Sequence, residues 1–252
     1  MNIAVVDIGK PGANFGWAIV GDTKGEGNDI DVCVQRLAEA LRKGPLALGF
    51  EAPMFVPIRT DPKRLTAARK GDSGKGLPSR PFSASAGATV LVTGLVVVSY
   101  ILNTLRSLVP EAIATLDWRL PPADPGRLML FEAFVTDQRK TAATRHTEDA
   151  HLAIAAFQRG MRDPANFQNS VEEPICLSLL GAMMLRTGWA TDPAILDPAL
   201  QFERMRRSIT RSRRRPHREV LHRPLEQTRG EAALKTKNVV PIKSNPRQTV
   251  NH

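Results

Sequence analysis

Cysteine is nearly absent from this chain: Cys33 and Cys176 stand far apart, with no second pair at zinc-ligand spacing. That supports neither a disulfide framework nor a zinc site and fits a reducing, cytoplasmic setting. No basic segment precedes the apolar start Met1-Asn2-Ile3-Ala4-Val5-Val6-Asp7, which meets an acid at once, so a signal peptide is not expected. Charge is missing from residues 81–105, a run long enough to span about 30 Å of hydrocarbon. Ser83, Ser85, Thr89, Thr93, Ser99, Asn103 and Thr104 dilute it, and no second run of that length follows. The expectation is a helix buried on both sides of a globular domain, with no membrane partner. No internal repeat is visible.

What is there divides unevenly by charge. The chain carries 35 Lys+Arg against 25 Asp+Glu, net +10. Residues 205–252 hold 13 of the bases and 3 of the acids (Glu219, Glu226, Glu231), so the whole excess lies there and residues 1–204 are neutral. With no aromatic after Phe202 and runs such as Arg211-Ser212-Arg213-Arg214-Arg215-Pro216, this stretch cannot bury enough apolar area to order itself. It reads as a disordered basic tail, either a solubilising extension or a sequence-independent contact to nucleic acid phosphates. The 42% hydrophobic content is enough for one sizeable core over 1–204.

Along that body, short apolar runs alternate with helical patterns, which argues for an α/β architecture. Residues 3–8 and 46–50 read as central strands, and the turn-rich Gly9-Lys10-Pro11-Gly12-Ala13-Asn14 predicts a hairpin into Phe15-Gly16-Trp17-Ala18-Ile19-Val20. Helices are expected over 31–43, 88–108, 148–159 and 174–186, and a third strand over 128–135. Residues 57–82, rich in Lys, Arg, Gly and Pro, read as a long basic loop.

Three acids stand at the ends of these elements: Asp7 in Val5-Val6-Asp7-Ile8-Gly9, Glu51 in Gly49-Phe50-Glu51-Ala52-Pro53, and Asp149 in Thr147-Glu148-Asp149-Ala150. An ionised carboxylate closing an apolar strand is costly without a cation beside it. Carboxylates on rigid strand ends can hold Mg2+ or Mn2+, and such ions supply the activated water and the charge stabilisation that phosphodiester hydrolysis needs. Plainer readings stand beside this one: Asp7 capping the following turn, Glu51 solvated at its strand exit, Asp149 stabilising a helix N-terminus.

Glu132 and Glu148 are candidate additional ligands, Glu132 alternatively a structural partner. His146 and His151 could orient water or contact phosphate, or be ordinary surface residues. In the long loop, Arg59, Lys63, Arg64, Arg69, Lys70, Lys75 and Arg80 suit a phosphate backbone, as do Arg211, Arg213, Arg214 and Arg215 in the tail; a merely solvated basic loop fits as well.

Val5-Val6-Asp7-Ile8-Gly9 with Gly16-Trp17-Ala18, Gly49-Phe50-Glu51-Ala52-Pro53-Met54, Arg80-Pro81-Phe82, Phe131-Glu132-Ala133-Phe134 and Glu148-Asp149-Ala150 together resemble a known group. It is the predicted nucleases of ribonuclease H-like fold called domain of unknown function 429, themselves similar to Holliday-junction resolvases of the RuvC type. The resemblance runs through short motifs in the right order over residues 3–157. It implies a metal-dependent nuclease with a mixed central sheet flanked by helices, in which Asp7 bridges two metal ions, Glu51 binds one of them and Asp149 completes the site from a helix. It departs from the resolvase pattern in offering one well-placed acid, rather than two, on the last helix.

Two other readings share the opening words. Asp-Ile-Gly also begins sugar kinases and actin-like ATPases, but those need a second phosphate loop and an adenosine-binding glycine pair; Gly71-Asp72-Ser73-Gly74 has no strand ahead of it. A non-catalytic nucleic-acid-binding protein of the same fold remains open.

Overall fold

The computed structural model describes residues 1–69, 72, 82–117, 121–133, 146–162 and 175–197, all within the unit Met1–Arg213. The basic tail, its proposed boundary at 204, and the loop residues Lys70, Lys75 and Arg80 lie outside them.

The N-terminal apolar run becomes strand β1, Asn2–Asp7, buried at every position. Hairpin pairing joins it to β2, Gly16–Val20, which continues antiparallel into the short β3, Gly25–Gly27. Helix α1, Ile30–Lys43, starts where Asp29 accepts hydrogen bonds from the backbone N–H groups of Asp31 and Val32. It returns the chain to β4, Leu46–Glu51, parallel to β1 and in register with it from Asn2 beside Leu46 to Asp7 beside Glu51. The sheet is completed by β6, Ile113–Thr115, and β7, Arg127–Glu132, giving the order β3-β2-β1-β4-β7-β6 with β1, β4, β7 and β6 parallel. This is an α/β fold with a mixed central sheet.

Alternation along the strands sorts two cores. Ala4, Val6, Leu46, Leu48, Phe50, Leu128 and Leu130 pack with α1, with α2, Ser85–Leu108, and with α4, Leu179–Arg186. The other face carries Ile3, Val5, Ala47 and Met129 against Ala150, Ala153, Ile154 and Phe157 of α3, His146–Arg162. Phe131 stacks on Phe157 at 4.2 Å between ring centroids, and Gly49 leaves the room beneath: a Cβ there would meet the Phe131 ring at 2.5 Å.

Three expectations need correction. Helix α2, uncharged up to Arg106 in its last turn, is not buried on both sides. Val97, Val98, Ile101, Leu102 and Leu105 enter the core, whereas Val92 and Val96 are 62% and 69% exposed. It is long and apolar enough to cross a membrane by length and composition, yet one face is packed into the sheet's cover. The segment expected as a helix over 174–186 begins instead as a strand, β8, Cys176–Ser178, which pairs antiparallel with β5, Phe55–Pro57, before α4 starts at Ser178's cap. And α3 starts at His146, earlier than its acids alone suggested.

Candidate metal centre

Asp7 is the last residue of β1, and its neighbours Ile3 and Val5 set its parity: it shares the α3 face of the sheet. Glu51 ends β4 on that same face, directly beside Asp7 in the parallel register. Both are buried, at 8% and 6% exposure, with Oε2 of Glu51 closed off from solvent.

Helix α3 brings the remaining groups. Its docking residues Ala150 and Ala153 are small, so the first turn approaches the sheet closely. At the point of approach β2 supplies Gly16, Asp7's antiparallel neighbour, where a Cβ would lie 2.5 Å from the carbonyl carbon of His146. His146 Nδ1 thereby reaches Asp7 Oδ2 at 2.6 Å. Asp149 follows one turn later on the same side of the helix, half-buried, with its Oδ1 closed off from solvent. One ligand atom from each of Asp7, His146 and Asp149 falls within 4.8 Å of the others.

Two carboxylates and an imidazole are a donor set that can hold a divalent ion. Carboxylate oxygens suit Mg2+ and Mn2+, and an imidazole nitrogen favours the transition ion.

The other expected site residues distribute differently. Glu132 stands on the opposite face of the sheet, beside Phe50 rather than Glu51. Its carboxylate accepts from the guanidinium of Arg69 and from the backbone N–H groups of Met54 and Phe55, so of its two readings the structural one holds. Glu148 is exposed and outside the Asp7, His146 and Asp149 group. His151, one turn beyond His146, lies 2.6 Å from Glu26 of β3 instead.

Among the loop bases, Arg69 is wholly buried and bonded to Asp72 and Glu132, which removes it from any phosphate interface. Burial alone would lower its pKa, but the two carboxylates outweigh that and hold the guanidinium above its ordinary value. Arg59 donates to the carbonyls of Arg64, Ala67 and Ala68 and so braces the loop. Lys63 and Arg64 are exposed. Lys70, Arg80, Arg211, Arg213, Arg214 and Arg215 lie outside the described residues.

His146 is the residue that sequence reasoning placed too loosely. Its i, i+3 spacing to Asp149 was the available signal, since that spacing sets two side chains on one helix face. No family model matches the chain, and neither a curated protein nor a solved structure does.

Proposed function

We propose that this protein is a divalent-metal-dependent nuclease of ribonuclease H-like fold, hydrolysing phosphodiester bonds at Asp7, Glu51, His146 and Asp149. The observation that carries the reading is the meeting of Asp7, His146 and Asp149 within 4.8 Å, with Glu51 beside Asp7 in register. Residues distant in sequence converge at one end of the parallel strands, and the buried carboxylates there gain most from a cation. The strand order, with the antiparallel β1-β2-β3 meander ahead of parallel strands, is in keeping with the resemblance to ribonuclease H-like nucleases.

Asp7 and Asp149 would hold Mg2+ or Mn2+, with His146 as a nitrogen donor and Glu51 closing the strand side. Bound there, the metal supplies a lowered water pKa and neutralises charge on the phosphate. The chain's own part is rigidity. Asp7 and Glu51 sit on neighbouring hydrogen-bonded strands, so their separation is fixed by the ladder rather than by a loop. Exposed Lys63 and Arg64, and the tail, supply cations for a DNA or RNA backbone.

The test is cleavage of labelled linear and branched DNA and RNA by the purified chain with Mg2+ or Mn2+, beside Asp7→Asn. An amide keeps the shape and removes the charge. Cleavage lost by at least about 100-fold in the variant, with the far-ultraviolet circular dichroism unchanged, is expected; undiminished cleavage contradicts the proposal. Nucleic acid binding with no cleavage under any metal leaves the non-catalytic reading in its place.

A further inference from the structure

Glu51 sits at the centre of a sharp bend. The carbonyl of Phe50 accepts hydrogen bonds from the N–H of Ala52, 2.8 Å away, and from the N–H of Ala133 just past β7, 2.9 Å away, so the chain turns immediately after β4. Just past the bend, Glu132 Oε2 accepts from the N–H groups of Met54 and Phe55 at 2.8 and 3.2 Å. Glu51 is therefore held between two attachments to the end of β7, one made by backbone and one by a carboxylate.

That carboxylate is itself held by Arg69. Nη2 donates to Glu132 Oε1 at 2.7 Å and Nη1 to Oε2 at 3.0 Å, while Nη1 also donates to the carbonyl of Phe55 at 2.7 Å. Nε and Nη2 turn the other way, to Asp72 Oδ1 at 3.0 and 2.8 Å. Asp72 Oδ2 in turn accepts from the backbone N–H groups of Arg69 and Phe82. Side-chain exposure is 0% for Arg69 and Asp72 and 5% for Glu132. The planar five-donor guanidinium serves two carboxylates and a carbonyl at once, a geometry no lysine reproduces.

We propose that Arg69, with Asp72 and Glu132, is a positioning device for the metal centre: the ladder sets the backbone of Glu51 beside Asp7, and fixing the turn from Ala52 to Phe55 holds that strand end and its carboxylate in place. This rests on the metal-site reading above. The long basic loop then serves the site from behind the sheet, through an internal strut. A surface role in phosphate binding is left to its exposed lysine and arginine.

Outer partners of metal-ligating groups typically change metal affinity about 10- to 100-fold when removed. The experiment is a Mn2+ titration of the full chain, read by electron paramagnetic resonance of the free ion, for wild type, Asp7→Asn, Arg69→Lys and Asp72→Asn. Leu37→Ala, a fully buried change in α1 remote from the bend, serves as a comparison of lowered stability. Urea unfolding of each variant identifies the pair matched in stability. The expected result is a loss of about 10-fold or more in Mn2+ affinity for Arg69→Lys and a smaller loss for Asp72→Asn, with Leu37→Ala unchanged. Should Arg69→Lys fold too poorly to titrate, Asp72→Asn decides alone. Wild-type affinity in the Arg69 and Asp72 variants, or an equal loss in Leu37→Ala, overturns the positioning role alone. Absence of Mn2+ binding in wild type overturns it together with the metal-site reading.

Discussion

Gly16 has no side chain because His146 occupies the room one would take; an alanine methyl there would sit 2.5–2.8 Å from three atoms of His146. Gly16→Ala is therefore expected to push the first turn of α3 off the sheet, at a cost of about 1–3 kcal/mol in stability. It should weaken Mn2+ binding as well, because His146 and Asp149 move together. Urea unfolding with a parallel metal titration checks both, and a stable variant with wild-type metal affinity would show the contact to be slack. Cys33 gives a second expectation at this scale. Burial, with Asp29 nearby, pushes its thiol well above the ordinary range. The folded state thus keeps a proton that the unfolded chain releases above its ordinary pKa of about 8.5, so stability falls as pH rises past that value. Denaturant midpoints between pH 7 and 10 should decline less steeply in Cys33→Ala than in wild type. Asp7 was legible in the sequence because a carboxylate ending an unbroken apolar run has few inexpensive explanations. Arg69 was not. A base in a loop without periodicity looks solvated even with Asp72 three residues on, and its other partner, Glu132 on β7, meets it only once the chain has folded.

Helix α2 shows where periodicity runs out at the scale of an element. Its solvent side mixes Thr89 and Asn103 with Val92, Leu95 and Val96, while its core side is Val97, Val98, Ile101, Leu102 and Leu105, so exposed aliphatics blur the contrast between the faces. Composition alone could not separate them. Substitution can: Val96→Ser should stay within about 0.5 kcal/mol of wild type, whereas Leu102→Ala should lose about 2–5 kcal/mol. Equal losses in urea unfolding would mean that the exposed face is covered in solution. Cys176–Ser178 illustrates another limit. Three residues cannot declare themselves a strand, and they become one because Phe55–Pro57 offers an edge from far away in sequence. The strands of the central ladder were readable since each is buried on both faces.

At the scale of the whole molecule, charge and chemistry are separable. The net +10 lies in residues 205–252, while Asp7, Glu51, His146 and Asp149 all precede residue 150. A chain ending at Arg204 is expected to bind nucleic acid more weakly, with a flatter dependence of log affinity on log salt, since fewer phosphates are neutralised. Turnover at saturating substrate should change little. Affinities measured across a salt series decide this, and identical slopes for the two chains would make the tail a bystander. Whether one metal centre joins two strand ends to the start of α3 is decided by anomalous diffraction from crystals soaked in Mn2+. A peak coordinated by Asp7, Asp149 and His146 on the Glu51 side of the sheet end is expected; crystals with no peak there, and with His146 still bonded to Asp7, would rule the metal centre out.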